Sequence, residues 1–136
     1  ERKKLEEMAV SNSNIIFLGK VEHEDISSIY ERSDIVVVPS VWPEPLSRVL
    51  LEAAHFGKPI IATDVGGSPE VVKHEYNGQL VKTESEDLRE KLGYLIENDN
   101  KRKAMGKNME EFYRKNLSKG KVVDRILSSY EEYLDS

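Results

Sequence analysis

The sequence predicts an α/β domain in which a parallel sheet lies between two layers of helices. Three observations support this: short apolar runs rich in branched residues, helix-length amphipathic segments between them, and short connections. The apolar runs lie at residues 15–18, 35–38, 60–63 and 79–81. The first three are almost continuously apolar, which is typical of strands buried on both faces of a parallel sheet. Strands joined through helices in this order imply right-handed crossovers.

The segments between the runs have the period of amphipathic helices. Residues 25–32 carry apolar side chains at helical spacing, and a second helix is predicted to open at Pro45. Gly57 stands where a left-handed C-terminal cap would end that second helix. Ser68 followed by Pro69 predicts an N-cap and the first helical position of a third helix.

The two ends of the chain are predicted to be helical. After about residue 83 the sequence contains three apolar stripes at helical spacing, and the chain opens with a helix-like segment around residues 5–9. A doubly wound sheet that starts this way lacks the strand that normally comes first. We therefore expect residues 1–136 to form one domain that is incomplete at its N-terminus, the back part of a larger protein.

Composition excludes several classes of protein. The chain has 136 residues, a net charge of −5 and no cysteine. The negative charge has the wrong sign for binding nucleic acid over a large face. The absence of cysteine excludes disulfide frameworks, thiolate metal sites and cysteine nucleophiles, and it fits a reducing compartment. No apolar run is long enough to span a bilayer. Together with the absence of cysteine, this predicts a cytoplasmic location, and peripheral contact of the full-length protein with the cytoplasmic membrane face stays open. Short basic runs at 101–103 and 119–121 favour a solvated face over contact with a membrane surface.

The second strand-to-helix loop has the properties of an anion site. Ligands of open parallel sheets bind outside the carboxyl ends of the strands, where loops are predicted at 19–22, 39–44 and 64–68. The helix that is predicted to open at Pro45 follows the second loop directly. Its unpaired amides and its dipole would bind an anion such as a diphosphate. Those amides belong to Leu46, Ser47 and Arg48.

Two carboxylates flank this anion site. Glu44 comes just before the predicted helix and Glu52 lies eight residues on, roughly 12 Å along the helix axis. Ionised carboxylates only accept hydrogen bonds, so they suit hydroxyl groups rather than phosphates. A diphosphate with a hydroxylated sugar on either side would use the amides and both carboxylates. The alternatives are a solvated surface role for Glu52 and a capping role for Glu44.

The region from about residue 33 to 81 resembles the donor-binding domain of family 4 glycosyltransferases, which are retaining enzymes of the GT-B type. Four motifs carry the resemblance in order: the E-x7-E pair with a proline after its first glutamate, G-K-P-I-I-A-T, G-G-S-P-E and N-G-Q-L-V. The resemblance implies a three-layer, Rossmann-like parallel sheet flanked by helices that lacks its first strand. It also implies a helical C-terminal region.

The resemblance also implies roles for particular residues. Glu52 would accept hydrogen bonds from the ribose hydroxyls of a nucleotide sugar, and Glu44 would lie beside the transferred sugar as the candidate catalytic residue. The diphosphate would bind the amides after Glu44. The remaining donor-binding candidates are Gly19, Lys20 and Val21 beside the nucleobase, Leu46, Ser47 and Arg48 at the diphosphate, and Gly66 and Gly67 in a sugar-facing loop. No metal ion or other cofactor is implied, because side chains and the helix dipole take the role of the cation in these enzymes.

The resemblance is incomplete in two respects. Leu46 and Ser47 stand where the family often has Phe-Gly, and the family's catalytic arginine and lysine belong to a strand–helix unit that the sequence does not contain. The chain is therefore expected to hold most of a donor pocket and to be inactive alone. The acceptor, a sugar or a lipid-linked glycan, would bind a missing N-terminal domain. A non-catalytic nucleotide-sugar-binding or interaction module and part of a GT-B epimerase remain open alternatives.

Overall fold

The computed structural model describes residues 2–134 of the chain. Glu1, Asp135 and Ser136, the ends of the predicted domain, lie outside the described residues. The elements in chain order are α1 (Arg2–Ala9), α2 (His23–Arg32), β1 (Val36–Val38), α3 (Arg48–His55), β2 (Ile60–Thr63), α4 (Ser68–Val71), β3 (Gly78–Val81), α5 (Ser85–Glu97), α6 (Asp99–Asn116) and α7 (Lys119–Leu134).

The described strands form a parallel sheet in the order β1-β2-β3. The central strand β2 is buried on both faces: Ile60 and Ala62 pack into one core cluster with α3, whereas Ile61 packs into a second cluster with α5. All three of these side chains are fully buried. The predicted three-layer α/β architecture is therefore confirmed, and the strands predicted at 35–38, 60–63 and 79–81 are present.

The strand predicted at residues 15–18 is wrong. This segment has no regular secondary structure and does not pair with any strand of the described sheet. Its side chains are exposed; Ile16 shows 77% of its surface and Leu18 shows 60%. Apolar character favours burial, but a strand also needs a neighbouring backbone to complete its hydrogen bonds. No described strand makes these hydrogen bonds with the segment, so the ladder does not form.

The predicted start of the second helix is also wrong. Helix α3 begins at Arg48 with Ser47 as its N-cap, three residues after Pro45. A helix opening at Pro45 would need the Glu44 carbonyl to accept the first helical bond. That carbonyl instead accepts a hydrogen bond of 3.0 Å from the Gly67 N–H, which holds residues 44–47 in a loop.

Two predicted helix caps have different outcomes. Gly57 has φ +61° just after α3, which confirms the left-handed cap. The predicted N-cap at Ser68 is wrong by one residue, because Gly67 is the N-cap of α4 and Ser68 is its first residue.

The helical C-terminal region is confirmed as α5, α6 and α7. Leu95 of α5 is fully buried, whereas its neighbour Ile96 is exposed. The apolar stripe of α7 is likewise exposed along its length; it consists of Val123, Ile126, Leu127, Tyr130 and Leu134. Among residues 2–134, none of the helices combines the length and the apolar character that crossing a membrane requires.

Candidate functional site

The loops after β1 and β2 meet at the carboxyl edge of the sheet and hold Glu44. The Thr63 hydroxyl, at the end of β2, donates a hydrogen bond to the Ser40 carbonyl in the loop after β1. The Ser40 hydroxyl in turn donates to Oε1 of Glu44 at 3.1 Å. Together with the bond from Gly67 N–H to the Glu44 carbonyl, these contacts fix both the backbone and the side chain of Glu44.

Gly66 and Gly67 pack directly against this loop. Gly66 has φ +54°, and a Cβ built there would lie 2.1 Å from the Glu44 carbonyl oxygen. A Cβ at Gly67 would lie 1.7 Å from the Pro45 carbonyl oxygen. Neither position can hold a side chain without moving the backbone. The two glycines therefore position Glu44, and their predicted contact with the donor sugar stays a prediction.

Glu52 lies on α3 with its carboxylate held by two neighbours. Oε2 accepts a hydrogen bond of 3.0 Å from the Tyr30 hydroxyl on α2. Oε1 lies 3.5 Å from a guanidinium nitrogen of Arg48, four residues earlier on the same helix. The side chain of Glu52 is 29% exposed, so it is accessible to a ligand from one side. This partial burial and the buried partner do not fit an ordinary solvated helix-surface glutamate.

Burial gives Tyr30 an unusual proton affinity. Desolvation in the core, together with the hydrogen bond to the Glu52 carboxylate and its charge, raises the pKa of Tyr30 to about 12. The phenol is therefore protonated at neutral pH and acts as the hydrogen-bond donor to Glu52.

The free energy of unfolding is expected to fall between pH 10 and about pH 12. The unfolded chain loses the Tyr30 proton near its ordinary pKa of 10.0, whereas the folded chain retains it until about 12. The stabilisation is thus complete below pH 10 and is lost as the pH rises through the folded value, by at most about 2–3 kcal/mol. Denaturant unfolding at several pH values measures this fall. If the free energy of unfolding of the Tyr30→Phe variant fell equally over this pH range, the fall would not come from the Tyr30 hydroxyl.

The first turn of α3 supplies the amide donors of the site. The first helical bond of α3 runs from the Leu51 N–H to the Ser47 carbonyl, so the amides without a helical partner are those of the N-cap Ser47 and of Arg48, Val49 and Leu50. The Ser47 side chain is buried at the N-cap position, and Leu46 precedes it. Ser47 and Arg48 belong to both the predicted and the observed sets of amides. Glu52 follows Arg48 by one turn, roughly 6 Å along the axis.

A cavity of about 390 Å³ lies between α2, α3 and the edge of β1. Glu52 and Tyr30 form its polar wall, and Val21, Ile26 and Val49 contribute to its apolar wall. Of the turn predicted to border a nucleobase, the structure brings only Val21 to this cavity. Lys20 pairs with Glu22 at 3.1 Å in solvent, and Gly19 has φ +71° in the same exposed turn.

Tyr30 and Ser40 belong to the candidate site but are not among the residues predicted from the sequence. The sequence pattern places Tyr30 only on an apolar helix face, although its buried hydroxyl requires a hydrogen-bond partner. That requirement is the one sequence signal that could have identified it. Ser40 carries no such signal in the sequence, because its hydrogen bond to the Glu44 carboxylate depends on the path of the loop between the two residues. Within residues 2–134, no group of three or more His, Asp or Glu side chains is arranged to hold a metal ion.

The fold and the site together define an α/β domain with its candidate site in the loops at the carboxyl edge of a parallel sheet, which is where ligands of such sheets bind. The chain belongs to the family of glycosyl transferases group 1, whose model matches residues 1–112.

Individual relatives agree with this assignment. The uncharacterized glycosyltransferase MJ1178 of Methanocaldococcus jannaschii is 39% identical over 136 residues, which cover 98% of this chain and 38% of the relative. The crystal structure of Anabaena Alr3699/HepE in complex with UDP matches with a TM-score of 0.86 and 27% identity, covering 96% of this chain and 36% of that one. The complex of the same protein with UDP-glucose matches with a TM-score of 0.83, 27% identity and the same coverage.

A third matching structure is itself the C-terminal domain of a longer protein. The C-terminal domain of a glycosyl transferase group 1 family protein from Francisella tularensis has a TM-score of 0.79 and 29% identity, covering 87% of this chain and 63% of that one. The predicted fold, that of a GT-B C-terminal domain, is therefore confirmed. The chain spans about a third of the length of the curated relatives it matches.

Proposed function

We propose that this chain is the donor-binding part of a retaining glycosyltransferase that transfers a sugar from a nucleoside-diphosphate sugar to an acceptor hydroxyl. One observation carries the proposal: the free amides at the start of α3 lie one turn from a held, partly exposed Glu52 that borders a cavity. Amides suit a diphosphate and the carboxylate suits ribose hydroxyls. The likeness to a protein solved with UDP and with UDP-glucose supports the same ligand class.

In this proposal the site acts by orientation and charge stabilisation. Glu52 fixes the ribose, and the amides and positive dipole of α3 stabilise the negative charge that develops on the departing diphosphate. Glu44, held by Ser40 and Gly67, lies where the transferred sugar would extend beyond the diphosphate. The reaction as proposed requires no metal ion, because the start of α3 and cationic side chains supply the positive charge.

The proposed reaction also needs groups from outside this chain. The acceptor, a sugar or a lipid-linked glycan, would bind a further domain of the kind that the longer relatives have room for. The arginine and lysine that neutralise the diphosphate in similar enzymes would come from a strand–helix unit of this same domain that the sequence does not contain. The chain alone is accordingly proposed to bind donor and not to catalyse transfer.

A pair of variants at Arg48 tests the amide site. Proline is accommodated at the first helical position, and the preceding Ser47 already has the extended ψ of 130° that a residue before proline needs. Arg48→Pro removes the side chain and the amide, whereas Arg48→Ala removes only the side chain. The proline variant is expected to bind UDP, GDP or ADP about tenfold more weakly than the alanine variant, because an amide bond to a charged phosphate is lost.

Calorimetric titration of the full-length protein measures these affinities, with the corresponding nucleosides as the ligands that lack phosphate. The nucleosides are expected not to distinguish the two variants. Equal diphosphate affinity of Arg48→Pro and Arg48→Ala would place the diphosphate elsewhere. Failure of all three diphosphates to bind would refute the proposed function.

A further inference from the structure

Tyr30 is the rigid partner of the Glu52 carboxylate. Its side chain is 8% exposed, and its ring stacks on Phe56 with the centroids 5.3 Å apart and the planes 12° from parallel. This packing leaves the phenol oxygen in one place, 3.0 Å from Oε2 of Glu52. A glutamate side chain has several rotatable bonds, so a fixed donor at this distance selects one orientation of its carboxylate.

Arg48 cannot fix the orientation of the Glu52 carboxylate in this way. Its side chain is 81% exposed, and its guanidinium lies 3.5 Å from Oε1 of Glu52. An exposed ion pair within one helix turn contributes little energy and constrains geometry weakly. The orientation of the carboxylate therefore depends on the buried hydroxyl rather than on the exposed cation.

The Glu52 carboxylate has enough free acceptor sites to bind the two hydroxyl groups of a diol. A carboxylate has about four lone-pair sites, two on each oxygen. Tyr30 uses one site on Oε2, and Arg48 faces one on Oε1. Each oxygen keeps one free site, and the carboxylate borders the cavity between α2 and α3. Two adjacent free acceptors match two adjacent hydroxyl donors.

We infer that Tyr30 is a positioning residue, whose buried hydroxyl holds the Glu52 carboxylate in the orientation that accepts both ribose hydroxyls of the donor. The inference rests on the proposed function, since it presumes that Glu52 binds ribose. It adds a residue on a different helix, 22 positions away in sequence, to the recognition of the nucleotide.

Tyr30→Phe tests the inference because it keeps the ring and its stacking on Phe56 and removes only the hydroxyl. Calorimetric titration of the full-length protein compares UDP with 2′,3′-dideoxy-UDP. The variant is expected to bind UDP about three- to tenfold more weakly and the dideoxy analogue with unchanged affinity. Tyr94→Phe, on α5 at the other face of the sheet, is the matched control and is expected to change neither affinity.

The comparison of the two ligands separates positioning from a general structural role. An equal loss of affinity for both nucleotides in Tyr30→Phe, including complete loss through misfolding, would overturn the inference, as would no loss for UDP. In a Glu52→Gln background, Tyr30→Phe is expected to cause a smaller ribose-dependent loss than in the unchanged protein, because the two residues act together.

The same data distinguish this inference from the proposed function. If Glu52→Gln removes the preference for UDP over its dideoxy analogue but Tyr30→Phe does not, the inference fails and the proposed ribose site stands. If the unchanged protein binds UDP and its dideoxy analogue equally, the ribose site itself fails.

Discussion

Replacing Glu52 with glutamine is expected to weaken binding of a nucleoside diphosphate by about tenfold or more in the full-length protein. A hydrogen bond to a charged group contributes about 1.5–3 kcal/mol, and about 1.4 kcal/mol corresponds to a factor of ten. Glutamine keeps the size of the side chain and one acceptor oxygen, which can still receive the Tyr30 hydroxyl. The variant removes the charge and one of the two acceptors that the ribose hydroxyls would use.

Stability is not expected to confound the Glu52→Gln experiment. Glutamate and glutamine have nearly equal helix propensities, and Glu131→Gln on the exposed helix α7 provides a control for the charge change. The loss of affinity, measured by calorimetry, should shrink for a 2′,3′-dideoxyribose analogue, which offers no hydroxyls. If Glu52→Gln bound both nucleotides as the unchanged protein does, Glu52 would have no part in binding ribose.

The layered fold could be predicted because each buried strand carries its own signal. β2 carries three successive apolar residues, Ile60, Ile61 and Ala62, and their alternate side chains do pack into two different cores. The segment at 15–18 carries the same signal without the same result, because strand formation depends on a neighbouring backbone that its own residues cannot supply. Apolar content thus predicts which segments could be strands, whereas pairing decides which of them are.

The site could be predicted only where sequence order places residues together. Glu44 and Glu52 follow from motifs within one loop and one helix. The structure places Glu44 in the loop after β1, at the carboxyl edge of the sheet, and Glu52 one turn into α3. The hydrogen bonds that hold them come from Ser40 and Tyr30, and the start of α3 depends on a contact from Gly67. These contacts join separate elements, so no local pattern shows them.

Gly67→Ala is expected to cost about 2–4 kcal/mol of unfolding free energy. The backbone of Gly67, at φ −81° and ψ 3°, is open to alanine, so the cost does not come from local strain. It comes from the new Cβ, which would lie 1.7 Å from the Pro45 carbonyl oxygen and force the two loops apart. Such overpacking costs about 1–3 kcal/mol, and loss of the hydrogen bond to the Glu44 carbonyl adds about 1 kcal/mol.

Gly93→Ala is the matched control, because a Cβ there meets nothing within 4 Å on helix α5. It is expected to raise stability by about 0.5–1 kcal/mol through helix propensity. Equilibrium unfolding in denaturant measures both variants. Since Gly67 also sets the backbone of Glu44, Gly67→Ala should reduce sugar transfer by the full-length protein even under conditions where the variant is fully folded. Unchanged stability of Gly67→Ala beside a stabilised Gly93→Ala would mean that the two loops do not meet at Gly67, and Glu44 would lose its proposed support.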